Sequence, residues 1–266
     1  MPNLKQVYEL KEKFYDLGNK DRRILDYLEK TEAKDVLIKA FNTGRLNEDI
    51  SERRMFSFIN ENLNPEKPEL IKYFEEGREE DVALLFIDIT SFSKTISGWS
   101  NGYIKNYLDD YYKRIIPIIY KNNGEIEKLM GDGIICVFGK PFLEVNSPEY
   151  VYHAERCAEE VIKEFHSSDK NVKVAIHKGS VTYYKVPGEE YGEYTMIGQP
   201  ITELYRLESV STSNAINFFT GSTYDKLGWI ESVFSEESII GKEYEINKLQ
   251  GVDFEKIKAL KFPNYL

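Results

Sequence analysis

The sequence is poor in cysteine, in positive charge and in long apolar runs. Cys136 and Cys157 are the only two cysteines among 266 residues, each in an apolar-rich segment and without CxxC spacing. Neither a disulfide framework nor a zinc site is indicated, and both read as reduced, buried small hydrophobes. No apolar stretch approaches the roughly 20 residues that a membrane span needs, and the N-terminus, MPNLKQVYELKEKFYDL, lacks an apolar signal-peptide region. The expectation is a cytoplasmic protein with no membrane partner. Lys+Arg total 35 against 45 Asp+Glu, a net charge of −10, which argues against a nonspecific electrostatic grip on nucleic acid. There is no GxxxxGK[ST], so P-loop chemistry is excluded as far as motifs can exclude it. Internal repeats and low-complexity tracts are also missing. An acidic protein that handles an anion must do so locally, with a metal or a few placed cations.

What is present is an ordinary globular balance: 41% hydrophobic, 30% charged and 14% aromatic residues, including 19 Tyr. The length suits one sizeable domain with an appendage, or two small ones. Residues 1–78 read as a helical region, with Val7, Leu10, Phe14 and Leu17, then Ile24, Leu25 and Leu28, and later Met55, Phe56, Ile59 and Leu63 at helical spacing. Breaks fall at Gly18, around Asn42 to Gly44, and at Pro65 and Pro68. The region carries no obvious chemistry, and its charged amphipathic helices suit capping or dimer contacts. Residues 79–266 form the second domain.

There the period changes. VALLFIDI, from Val82, is a short, nearly continuous apolar run and reads as a buried strand. Tyr107, Leu108, Tyr111, Tyr112, Ile115, Ile116 and Ile119 predict a helix ending between Pro117 and Gly124. EIEKLM and IICVF flank Gly131-Asp132-Gly133, a hairpin signal. Residues 149–165 predict an amphipathic helix, VKVAIH a strand, SVTYYKV and EYTMI a second hairpin or extended pair, ITELYRLES a helix and AINFF a further strand. The fold class is α/β (α+β): the order βαββαβ is that of a ferredoxin-like sheet with helices on one face.

Asp88 ends the buried strand, and Asp132 lies at the hairpin tip 44 residues later. If the two strands are neighbours, both carboxylates reach the same sheet edge, where hard oxygen ligands suit Mg²⁺ or Mn²⁺ completed by substrate phosphates. Two such ions can stabilise the attacking and leaving oxygens of a phosphoryl displacement. After Ile89, the residues Thr90, Ser91 and Phe92 lead into a helical segment whose free backbone amides suit a polyphosphate.

FIDITSF, GEIEKLMGDGIICVFGKPF, VAIHKGSV and EYTMIGQPITELYRLES, in this order and spacing over about residues 80–225, resemble the catalytic domain of class III nucleotidyl cyclases, the adenylyl and guanylyl cyclase superfamily. The resemblance implies a homodimer with active sites shared between both chains, and a nucleoside triphosphate substrate with two metal ions per site. It implies metal ligation by Asp88, Asp132 and the Ile89 carbonyl, and base reading by Lys128, four residues before Asp132, together with Thr195. Arg206 matches the arginine that stabilises charge on the α-phosphate. Lys248, in NKLQG, is the candidate for a triphosphate-binding lysine. The proton acceptor is Asp88 or a metal-bound water.

Two departures stand out. Thr202 replaces an Asn usual in the family, leaving a single hydroxyl donor for transition-state assistance. Tyr183-Tyr184-Lys185 replaces a common glycine, so bulk could narrow the nucleotide pocket or reshape the dimer contact. His177 reads as a structural strand-end residue. Lys128 and Thr195 favour ATP as substrate. The alternatives are a pyrimidine cyclase of the bacterial antiphage type, making cyclic UMP or cyclic CMP, and a degenerate cyclase-like module without catalysis. Retention of Asp88, Asp132 and Arg206 together speaks against the last. A GGDEF relative is disfavoured because no Glu follows Gly131-Asp132-Gly133.

Overall fold

The strand expected at VALLFIDI is the centre of a sheet and is flanked on both sides. In the computed structural model, which describes residues 72–166, 168–186, 194–227 and 240–262, β1 (Glu79–Ile89) pairs antiparallel with β3 (Gly133–Phe138) and with β4 (Val172–Lys185). Both faces of β1 are covered: Val82, Ala83, Leu84, Leu85 and Ile87 are fully buried, which explains the unbroken apolar run. The helical region expected over residues 1–78 lies outside the described residues, apart from its last few.

After β1 come the short α1 (Phe92–Thr95) and the long α2 (Asn101–Lys121), whose start is capped by Ser100 accepting from the Tyr103 amide at 3.3 Å. Pro117 lies inside α2. The helix continues past it to Lys121 because Ile115, Ile116, Ile119 and Tyr120 are buried, and burial outweighs one lost backbone bond. β2 (Glu125–Met130) and β3 form the hairpin, turning through Gly131 at φ 66°, a left-handed conformation suited to glycine. A bulge interrupts the pairing between Ile126 and Lys128, leaving Glu127 as the extra residue. α3 spans Glu149–Phe165, as its spacing predicts.

β4 is one strand of 14 residues where the sequence suggested two segments. It stays continuous because β1 pairs along it from Glu79↔Thr182 to Ile89↔Val172. Its far end pairs with β5 (Tyr194–Ile197), so the expected extended pair exists. α4 (Gln199–Val210), β6 (Ile216–Phe219), β7 (Ile240–Glu245) and β8 (Lys256–Lys261) complete an eight-stranded sheet in the order β2-β3-β1-β4-β6-β8-β7, with β5 attached to β4. The first four strands have the ferredoxin-like arrangement that the βαββαβ order predicts.

The helices do not all share one face. α2 and α3 pack together through Tyr111 and Phe165, and Tyr150 of α3 donates to Asp81 at 2.9 Å. Asp81 lies on the odd-numbered face of β1. α4 lies on the other face: Tyr205 meets the Phe86 ring edge-on at 5.5 Å, and Glu203 meets His177, the register partner of Leu84. The expectation of helices on one face therefore holds for α2 and α3 and fails for α4, which covers the even-numbered face. Cys136 and Cys157 are buried and free, as expected.

Candidate active site

Asp88 projects from the end of β1 to the face covered by α4, two residues from Phe86 on the same side of the pleat. Its register partner is Lys173 of β4, whose Nζ lies 3.2 Å from Asp88 Oδ2 and also pairs with Glu208 of α4. Asp132, in the hairpin turn, lies close enough for its charge to act on Asp88. The next residue must be small, since a Cβ on Gly133 would sit 2.9 Å from Phe86 Cε2 and 3.6 Å from Asp88 Oδ1. Tyr112 of α2 donates to the Gly131 carbonyl and fixes the turn that carries Asp132.

Burial, then the charge of Asp132, pushes the Asp88 carboxyl up to about 6, against the pull of Lys173. Asp132 is raised as well, chiefly by burial, and so is Glu208, for the same reason. Burial alone would lower Lys173, but Glu208 and Asp88 outweigh it and its pKa is raised. Asp88 and Glu208 thus share the ammonium of Lys173, whose charge also reaches Asp132, and these three carboxyls outnumber it. Among the described residues, no group of three or more His, Cys, Asp or Glu could hold a metal ion unaided. Two neighbouring half-buried carboxylates, both raised chiefly by burial, fit a hard divalent ion such as Mg²⁺ or Mn²⁺, which completes its shell from phosphate and water. The Ile89 carbonyl, at the end of the same strand, is the further oxygen at this edge.

The segment after Ile89 divides by function. The Thr90 amide donates to the Asn171 carbonyl at 2.7 Å and its hydroxyl to Ser213 at 2.9 Å, so this residue fastens the loop. Ser91, at φ 58°, stands at the N-cap position of α1 without a side-chain capping bond, and the amides of Ser91, Phe92 and Ser93 find no acceptor among the described residues. The Phe92 ring stacks on Tyr107 at 6.2 Å.

Lys128 and Thr195 lie on β2 and β5, and Thr195 bonds the residue that precedes Lys128. Lys128 is exposed on β2 beside the bulge. The Thr195 hydroxyl donates to Oε1 of the adjacent bulge residue, Glu127, at 3.1 Å. Thr202 and Arg206 stand one turn apart on the exposed face of α4, opposite the buried Leu204 and Leu207. Lys248 is exposed between β7 and β8. Nothing among the described residues ties Thr202, Arg206 or Lys248 to Asp88 and Asp132.

Two readings of individual residues change. His177 lies in the middle of β4, not at a strand end; it is 3% exposed and its Nε2 meets Glu203 Oε2 at 2.7 Å, which keeps it structural. Tyr183 does not enter a nucleotide pocket from within its own chain: it is fully buried against Phe74 and donates to the Lys140 carbonyl at 2.5 Å. Tyr184 is the exposed one of the pair. Sequence reasoning missed Lys173, Glu208, Glu127 and Tyr112. Strand alternation was the available signal for Lys173, because in VKVAIH it shares a face with His177, and ITELYRLES carries a carboxylate to meet each of them.

Comparison with known proteins gives one domain family and a set of related folds. The adenylate and guanylate cyclase catalytic domain matches residues 74–251. An uncharacterized protein of Mycobacterium tuberculosis is 26% identical over 138 residues, which is 52% of this chain and 25% of the relative. Among solved structures, the catalytic core of a rhodopsin-guanylyl cyclase with converted specificity, in complex with ATPαS, superposes with a TM-score of 0.56 at 19% identity, over 70% of this chain and 98% of that one. The guanylyl cyclase Cya2 gives 0.56 at 20%, over 69% and 93%. The adenylyl cyclase CyaB from P. aeruginosa gives 0.54 at 18%, over 69% and 94%. At these identities the structures speak for the fold. The chain spans about a quarter of the length of the mycobacterial relatives it matches.

Proposed function

The chain belongs to the adenylate and guanylate cyclase catalytic domain family, and we propose from this premise that it is a class III nucleotidyl cyclase acting as a homodimer on a nucleoside triphosphate, with ATP favoured. In the reaction the ribose 3′-oxygen attacks the α-phosphorus, the bond from that phosphorus to the β-bridging oxygen breaks, and the 3′-proton passes to Asp88 or to water. The products are the 3′,5′-cyclic monophosphate and pyrophosphate. Two divalent ions, Mg²⁺ or Mn²⁺, held by Asp88, Asp132 and the Ile89 carbonyl would supply Lewis-acid stabilisation of the attacking and leaving oxygens.

The chain's own groups carry the rest. Asp88 and Asp132 orient the reacting end of the substrate from one protomer, and the free amides at Ser91 and Phe92 receive the polyphosphate. Lys173 balances part of the charge of the carboxylate pair that would hold the cations. Arg206 and Thr202, exposed on α4, serve the site of the other protomer, where Arg206 neutralises charge growing on the α-phosphate. Lys128 and Thr195 read the base, and Lys248 approaches the triphosphate from the β7–β8 connection.

The observation that supports this most is the convergence of Asp88 and Asp132 at one sheet edge, with Lys173 as their shared cation. The test is turnover. Purified protein with Mn²⁺ should form a cyclic monophosphate and pyrophosphate from at least one of the four ribonucleoside triphosphates, and Asp132→Asn should abolish it.

A further inference from the structure

We propose that Glu127 is a positioning residue that fixes the polarity of the base-reading hydroxyl, and so makes this chain select nucleotides whose base carries an exocyclic amino group, adenine or cytosine, over guanine and uracil. The proposal rests on the reading of Lys128 and Thr195 as the base-contacting pair.

Glu127 is the extra residue of the β2 bulge and is 4% exposed, whereas the next residue, Lys128, is exposed. A bulge re-aims side chains, and this one turns a carboxylate inward beside a lysine that faces out. Glu127 Oε1 receives two bonds from β5: the Thr195 hydroxyl at 3.1 Å and the Met196 amide at 3.3 Å. The second bond decides the direction of the first. A backbone N–H can only donate, and the carbonyl oxygen of a carboxyl accepts better than its hydroxyl, so Oε1 accepts from both partners in the ionised form and a proton taken up by Glu127 is favoured on its other oxygen. The Thr195 hydroxyl has one hydrogen and spends it on Oε1. Toward anything else it presents only lone pairs.

That asymmetry has a chemical consequence. Lys128 can only donate and the constrained Thr195 can only accept. With Lys128 against the ring nitrogen and Thr195 against the exocyclic group, the pair matches adenine N1 and its 6-amino group, or cytosine N3 and its 4-amino group. Guanine and uracil present a ring N–H and a carbonyl at those places, which sets donor against donor and acceptor against acceptor. A threonine free to rotate could donate to the carbonyl instead, so without Glu127 the discrimination should weaken. A site that leaves buried polar groups unpaired with the wrong ligand discriminates strongly.

The experiment compares kcat/KM for ATP, CTP, GTP and UTP in the full chain and in Glu127→Val, Glu127→Gln, Thr195→Val and the Glu127→Val/Thr195→Val double variant. The wild type should prefer ATP or CTP, and the two arms show which ring size the site takes. Glu127→Val should lower the ratio of amino to carbonyl bases by about 10- to 100-fold. Glu127→Gln, whose amide oxygen still accepts from Thr195 and Met196, should keep the preference. In the Thr195→Val background, Glu127→Val should change the ratio by less than about threefold, the mark of a residue acting through the hydroxyl. A wild-type preference for GTP or UTP, or an unchanged ratio in a folded Glu127→Val, overturns the inference while the cyclase reading stands. Turnover of none of the four overturns both.

Discussion

Asp88 and Asp132 carry their charges at a cost, since burial holds both carboxyls above the ordinary range and the charge of Asp132 raises Asp88 further. Removing one charge should therefore separate activity from stability. Asp88→Asn is expected to reduce turnover by at least about 10³-fold, while the urea midpoint stays level or rises; a midpoint that falls together with activity would assign Asp88 to folding. Glu155 of α3 gives a second test. It is fully buried, accepts from Tyr224 Oη at 2.9 Å, and burial pushes its carboxyl up to about 7. The folded state thus binds a proton that the unfolded chain releases near 4.5. The stability tied to this group is complete below that value and is lost as pH rises through about 7. Glu155→Gln should be more stable than wild type by on the order of 2–3 kcal/mol near pH 8, with the gap closing toward pH 4.5; a gap independent of pH contradicts the assignment. At this scale the sequence revealed Asp88 and Asp132 because a strand end and a hairpin tip are local features. Lys173 stayed hidden because its importance comes from pairing with a residue 85 positions away, and β register is not a local property.

The seam between β4 and α4 holds the site together. Lys173 meets Glu208, His177 meets Glu203, and Gly179 lies under Pro200, where an added Cβ would come within 2.5 Å of Pro200 Cγ. Gly179→Ala should push α4 off the strand, with a loss of about 1–3 kcal/mol in denaturant unfolding and a drop in turnover as Glu208 draws away from Lys173. An unchanged unfolding free energy would show that α4 adjusts freely. Helix α3 was legible to the residue because an apolar stripe with charged flanks has one period. The unbroken β4 was not, because Lys178-Gly179 reads as a break until β1 is laid beside it. Nor could periodicity say which face of the sheet α4 covers. The bulge at Glu127 was equally silent, since a bulge is a relation between two strands.

For the whole molecule, a net charge of −10 confronts a polyanionic substrate. Positive charge is supplied at a few points: Lys173 beside the carboxylates, Lys128 exposed on β2, and Arg206 exposed on α4. If Arg206 serves the partner's site, Asp88→Asn and Arg206→Ala chains should complement. Equal mixing and reassociation should restore about one quarter of wild-type activity, since half the dimers carry one intact site of two; no recovery in mixed dimers would place both residues in a site built by one chain. The resemblance legible over about residues 80–225 agrees with the domain match over 74–251 and with the cyclase fold, whereas the base it cyclises is not a property of the fold. The central claim is that Asp88 and Asp132 form a two-metal cyclisation site. Its most direct test is product analysis of purified protein with Mn²⁺ and each ribonucleoside triphosphate, wild type beside Asp88→Asn. The account predicts a cyclic monophosphate and pyrophosphate in equal amounts from the wild type and none from the variant; no cyclic product from any triphosphate, or equal product from both proteins, would contradict it.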